Sequence, residues 1–308
     1  MYFTKIDGKE RRLPDFIIPG AAKSGTTTLY QQLTGHPEIF FPKERKEPFY
    51  FSFGGVEPNY EDTRFNEIPI WDTHQYLSLY SSASSVQQCG DASTSYLYMH
   101  DISIANMRKL YGEQLEDVKI IIILRNPVTR AYSHYTYLIR NGFESRSFEE
   151  AITPNGIEVW KRKRWGFDYL KYGEYARSVQ AYLNAFKNVQ VYLTEDLKDA
   201  KSTMSRLCQF LEVDEIVDLR EVMANPSGIP KNKMLVNALR HNRAFKAIGR
   251  ALPEKTKLKA QSMRDRVMSS LLTKNPMSEE SRSALQKHYE EDIEKLSKII
   301  SRDLSHWK

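Results

Sequence analysis

The run Val118-Lys119-Ile120-Ile121-Ile122-Ile123-Leu124 constrains this chain more than any other stretch. Side chains alternate faces along a strand, so a nearly unbroken apolar run buries both faces. Such strands belong to parallel sheets covered by helices on either side. Asn126-Pro127 ends the run, and a helical pattern over 128–139 follows it. The apolar run Phe16-Ile17-Ile18-Pro19 reads as a second strand. It leads through a small-residue loop, Gly20 to Gly25, into a helical pattern carrying Leu29, Tyr30 and Leu33. Val189 to Leu193 reads as a third parallel strand, with helices expected over 172–186 and 199–212. Residues 42–75 lack a sustained period and read as ordered but irregular. Residues 140–168, with the charge run Lys161-Arg162-Lys163-Arg164, read as mobile surface. Beyond the loop Asn225-Pro226-Ser227-Gly228-Ile229-Pro230 the pattern is helical, broken near Asn275-Pro276. Alternating strands and helices predict a three-layer α/β/α fold. It would have a central parallel sheet, a P-loop-like phosphate-binding loop and a helical C-terminal part, in one domain over residues 1–308.

The loop Pro19-Gly20-Ala21-Ala22-Lys23-Ser24-Gly25-Thr26-Thr27-Thr28 is where chemistry first becomes readable. Small residues let backbone amides approach an anion, and the helix that follows presents free N–H groups and its positive dipole end. Gly20 and Gly25 have the separation of a nucleoside-triphosphate loop. Thr26, however, stands at the lysine position and the lysine lies upstream at Lys23. That arrangement suits a single phosphate bearing a transferable group. It argues against a P-loop kinase or NTPase, as does Arg125, which stands where an acidic metal ligand would follow the isoleucine strand.

A net charge of +6 over 308 residues fits an anionic ligand and would equally fit nucleic acid. No helix-turn-helix, RNP or zinc pattern supports a non-catalytic nucleic-acid-binding protein. Two cysteines, Cys89 and Cys208, make no disulfide framework, and Cys208 falls on an apolar helical face as a core thiol. We expect no bound metal. Neither a secretory signal pattern nor an apolar run of about 20 residues is present, so a cytoplasmic protein without a membrane span is expected.

With these residues in view, the chain resembles the sulfotransferase superfamily, in the style of bacterial members and of the glycosaminoglycan and heparan sulfate branch. Lys23-Ser24-Gly25-Thr26-Thr27 looks like that family's 5′-phosphosulfate loop. Arg125-Asn126-Pro127-Val128-Thr129-Arg130-Ala131-Tyr132-Ser133 looks like its 3′-phosphate element. Lys46-Glu47-Pro48-Phe49-Tyr50-Phe51, Asp91-Ala92-Ser93-Thr94-Ser95-Tyr96-Leu97, Glu195-Asp196-Leu197 and the ending Asp303-Leu304-Ser305-His306-Trp307 are further echoes.

The resemblance implies a transferase that takes a sulfuryl group from 3′-phosphoadenosine 5′-phosphosulfate, releases adenosine 3′,5′-bisphosphate and needs no metal. Lys23 would stabilise the leaving phosphate. Ser24, Gly25, Thr26, Thr27 and Thr28 would hold the 5′-phosphate, and Arg125 and Ser133 the 3′-phosphate. Lys231 would close over the donor. Arg125 as a salt-bridge partner and Ser133 as a surface residue remain the plainer alternatives. An acceptor hydroxyl must lose a proton as it attacks. The resemblance makes Glu47 the candidate base by its place in a Lys-Glu-x-x-Phe-Phe-like setting, from which Tyr50 departs mildly, with Glu44, Asp91 and His134 as competitors and a surface carboxylate as the alternative. Ala92 stands where the polysaccharide branch often carries lysine. The acceptor would be a glycan or a small-molecule alcohol.

Overall fold

The computed structural model describes residues 1–163, 165–215, 229–230, 272–273 and 276–308. The chain opens with a hairpin, β1 (Tyr2–Ile6) and β2 (Lys9–Leu13), whose Asp7-Gly8 turn has φ of 48° and 74°. Two consecutive positive φ angles twist the turn to match its strands, which is why Asp-Gly is favoured there. The sequence carries that signal, but the hairpin was absent from the expected elements.

Five parallel strands form the main sheet: β3 (Phe16–Gly20), β4 (Ile39–Phe40), β5 (Gln88–Asp91), β6 (Lys119–Leu124) and β7 (Val189–Leu193), in the order β4-β5-β3-β6-β7. The three strands expected from the sequence are its middle and one edge; β4 and β5 are additional. β5 reads Gln-Cys-Gly-Asp, which has little strand propensity. It is a strand because it fills the space between β3 and β4. A Cβ on Gly90 would lie 2.5 Å from Phe16 and Phe41, so only glycine allows that approach.

Both faces of β6 are buried, as its composition requires. Ile120, Ile122 and Leu124 enter one core while Ile121 and Ile123 enter the other. Helices α1 (Thr26–Leu33) and α10 (Ala200–Leu211) cover the second face through Leu29, Leu33, Met204 and Leu207. The first face is covered by α5 (His100–Tyr111), α6 (Pro127–Arg140), α9 (Ala176–Ala185) and the C-terminal α11 (Glu279–Ile299). The layers are therefore α/β/α, and Cys208 is buried in the core as expected. No described helix is long and apolar enough to cross a membrane.

Residues 42–75 contain short helices, α2 (Tyr50–Phe53) and α3 (Thr73–Ser78). Residues 140–168 differ from the expectation of mobile surface. They hold α7 (Phe148–Ala151) and α8 (Pro154–Lys163) and contribute Phe148, Ile157 and Phe167 to the buried interior. The apolar residues there are widely spaced, so no short window reveals a core face. Another short helix, α4 (Ser95–Tyr98), follows β5.

Candidate active site

The sheet order reverses beside β3: the chain leaves β3 for β4 and β5 on one side and returns to β6 on the other. Parallel α/β sheets bind ligands at the carboxyl ends of strands beside such a reversal. Four segments converge there. They are the loop after β3, the turn after β5, the Arg125-Asn126 turn after β6 and Thr194 after β7. Thr194 ties the first of these to the β6 and β7 ends, its Oγ1 lying 3.0 Å from the carbonyls of both Ser24 and Leu124 as a shared donor.

The β3 loop ends in Gly25, at φ 101°, which begins α1 without a capping side chain or an acidic residue in the first turn. The amides of the opening turn, at Thr26, Thr27 and Thr28, lack intrahelical partners and present the positive end of the helix dipole. Ser24 is buried, and its Oγ lies near the Tyr175 phenol but outside hydrogen-bond geometry. Lys23 takes the left-handed region at φ 71°, and its ammonium lies 4.2 Å from the Tyr137 ring centroid. Burial pulls the Lys23 pKa down to about 8. The charge of Arg140 acts in the same direction, and the carboxylate of Glu47 opposes it.

Arg125 and Ser133 are brought to the same loop. Arg125 donates from Nη1 to the Lys23 carbonyl at 3.2 Å and from Nε to Thr129 Oγ1 at 3.1 Å. Burial lowers its pKa. Asn126 caps α6 by accepting from the amides of Val128 and Thr129, with Pro127 in the first turn. Residues four apart share a helix face, so Thr129, Ser133 and Tyr137 form one row. One end of that row bonds Arg125 and the other meets Lys23. Ser133 sits between them. The Arg125 guanidinium thus braces the Lys23 backbone against the start of α6.

Glu47 is held at this edge too. Its Oε1 accepts from Lys46 Nζ at 3.1 Å and its Oε2 from Thr94 Oγ1 at 2.9 Å. Lys46 also donates to Thr27 Oγ1 at 2.9 Å, joining the carboxylate segment to the start of α1. Glu44 is exposed, and no such anchor holds it among the described residues. The two buried competitors are occupied. Asp91 accepts from Ser93 Oγ at 2.7 Å and from the phenols of Tyr76 and Tyr96, both at 2.9 Å, and burial raises its pKa to about 6. Ser93 Oγ in turn accepts from the Phe49 amide at 3.0 Å, so Asp91 shapes the segment carrying Glu47. His134 has Nδ1 3.3 Å from Arg130 Nη1. A guanidinium can only donate, so Nδ1 is the acceptor there. Burial, then the charges of Arg130 and Lys23, hold the His134 pKa well below its usual value.

The sequence model of the sulfotransferase domain family matches residues 13–299. The chain belongs to that family. Among sulfotransferases, carbohydrate sulfotransferase 15 of Mus musculus is 24% identical over 276 residues, covering 73% of this chain and 49% of that protein. Heparan sulfate glucosamine 3-O-sulfotransferase 3A1 of Homo sapiens is 25% identical over 255 residues, covering 81% and 57%. The chain thus spans about half the length of the curated relatives it matches. The crystal structure of a sulfotransferase from Alicyclobacillus acidocaldarius superposes with a TM-score of 0.69 at 25% identity, covering 96% of this chain and 99% of that one.

Three residues of this candidate site carry no assigned role in the sequence. Lys46 is one cation in Lys43-Glu44-Arg45-Lys46-Glu47 and looks like its neighbours. Thr94 reaches Glu47 across 47 positions, which no local pattern encodes. Tyr137 could have been found, because it continues the Thr129-Ser133 row by one turn. Ala92 is buried and supplies no cation. Lys231 and Arg164 lie outside the described residues, as do the side chains of residues 161–163.

Proposed function

We propose that this sulfotransferase moves a sulfuryl group from 3′-phosphoadenosine 5′-phosphosulfate to a hydroxyl, or an amine, of a glycan or small-molecule acceptor. Transfer is in-line. The acceptor oxygen bonds to sulfur as the bond from sulfur to the bridging oxygen breaks. Glu47 receives the acceptor's proton, and Lys23 meets the charge left on the 5′-phosphate. Positioning and charge stabilisation supply most of the rate in such transfers, and the donor sulfur is already electrophilic. No metal is therefore assigned a role.

The observation that carries this reading is the bridge from Thr27 through Lys46 to Glu47. It sets a fixed carboxylate beside an anion loop whose lysine feels that carboxylate's charge. The names of the relatives favour a carbohydrate acceptor, since both act on sugars.

The test compares nucleotides by calorimetry. Adenosine 3′,5′-bisphosphate should bind roughly ten- to a hundredfold more tightly than AMP, because AMP leaves the Arg125–Ser133 site without its charge-assisted contacts. Transfer from labelled donor to an oligosaccharide should persist in chelator. Equal affinity for the two nucleotides would overturn the donor assignment.

A further inference from the structure

Lys46 occupies an unusual place between two groups of different function. Its ammonium is shared between Thr27 Oγ1 at 2.9 Å and Glu47 Oε1 at 3.1 Å, and lies 5.5 Å from the Tyr30 ring centroid. An ammonium has three N–H donors and no acceptor. The direction of each bond is therefore settled. Since Thr27 Oγ1 accepts from Lys46, the Thr27 hydroxyl hydrogen must point away from it. Thr27 donates to no partner among the described residues. A hydroxyl that accepts from a cation is polarised and becomes a stronger donor. It sits in the first turn of α1, where the free amides already favour an anion.

The other end of the bridge is equally constrained. Lys46 holds Oε1 of Glu47, while Thr94 Oγ1 holds Oε2 at 2.9 Å. Neither carboxylate oxygen can swing without breaking one of these bonds. An ordinary surface ion pair contributes little and has no bearing on a neighbouring ligand. Here the same cation also orders a hydroxyl of the anion loop.

We propose that Lys46 is a positioning residue that couples the two halves of the transfer site. Through Thr27 it presents a polarised hydroxyl to the donor's 5′-phosphosulfate, and through Oε1 it fixes the carboxylate that takes the acceptor's proton. Lys46 forms and breaks no bond itself. This rests on the reading above, in which the loop holds the donor and Glu47 is the base.

The test is a double-variant cycle on the full chain, with adenosine 3′,5′-bisphosphate binding measured by calorimetry and turnover measured at saturating donor. Lys46→Met and Thr27→Val should each weaken nucleotide binding roughly three- to tenfold, the range for one hydrogen bond. The double variant should bind no more weakly than the worse single one, because both remove the same interaction. At saturating donor, Lys46→Met should lose about tenfold or more in turnover through the released carboxylate. Lys46→Arg, which keeps charge and donors, should recover most of both losses, as a merely structural lesion would not. Losses that multiply in the double variant would overturn the proposal, as would wild-type nucleotide affinity in Lys46→Met. If Lys46→Met fails to fold, Lys46→Gln completes the same cycle. Failure of the wild type itself to bind the nucleotide would instead sink the donor assignment, so the two failures are distinct.

Discussion

Lys23 combines a left-handed backbone, a ring beneath its ammonium and a pKa drawn down to about 8. The sign of the consequence follows from its charge. Only the ammonium can meet the negative charge building on a leaving phosphate, and its population falls as pH rises through about 8. The rate at low donor concentration, which reports the free protein, should therefore decline on a basic limb near pH 8. A bound anion favours the ammonium, so the same limb measured at saturating donor should lie higher. Lys23→Ala should reduce turnover far more than donor affinity, because the interaction strengthens as the bond breaks. Normal turnover in that variant at saturating donor would move the role elsewhere. Glu47→Gln keeps the size of the side chain but cannot take a proton. A positioned base contributes about 10²–10⁴-fold, and a loss in that range is expected with nucleotide binding nearly unchanged. Near-normal activity would return the base to one of its competitors, against the bonds that occupy Asp91 and His134.

At the scale of elements, the site is an assembly of strand exits, each set by a different local device. The β3 exit depends on Gly25, whose φ of 101° strains any residue with a Cβ. A Cβ built there would also lie 2.6 Å from Leu197 Cδ1, in the turn after β7. Gly25→Ala should therefore lower stability by about 1–3 kcal/mol and weaken nucleotide binding. Adding Leu197→Ala removes the clash but not the backbone strain, so it should restore part of the binding. Full recovery in a denaturation and calorimetry series would show that strain at Gly25 is unimportant. The β6 exit is set by Asn126 and Pro127, which start α6 so that its Thr129-Ser133-Tyr137 row lies along the loop. The β5 exit is set by Asp91, whose bond to Ser93 fixes the approach of Phe49 and the segment before it.

Across the whole molecule, the C-terminal residues brace the Arg125–Asn126 side of the site. Trp307 is buried, its carbonyl accepts from Asn126 Nδ2 at 3.0 Å and its indole donates to Glu195 Oε1 at 3.2 Å. Its ring meets Tyr175, whose hydroxyl donates to the Arg125 carbonyl at 3.0 Å. Trp307→Ala should lower stability by about 3–5 kcal/mol, the usual range for deleting a buried indole. It should also weaken adenosine 3′,5′-bisphosphate more than AMP, since Arg125 and Asn126 lose their backing. Equal loss for both nucleotides would confine Trp307 to a stability role.

Local pattern was sufficient wherever one residue type has few alternatives. A run of isoleucines has to be a doubly buried strand, and a Gly-bounded loop before a helix leaves the free amides of that helix's first turn at the strand end. Those two features together located β3, β6, the Gly20–Gly25 loop and the helix after β6 from the sequence alone. What the sequence leaves undetermined are residues whose role comes from partners far along the chain. β5 has no strand-forming composition and exists because two neighbours flank it. Asp91 reads as a free carboxylate until three hydroxyls close around it. Lys46 reads as one charge among five residues, and Thr94 as an ordinary turn residue. Only packing of the β5 exit against the β3 loop turned them into the bridge that holds Glu47. Hydrogen bonds between distant segments depend on ångström-scale placement of whole strands, which no local window of the sequence contains.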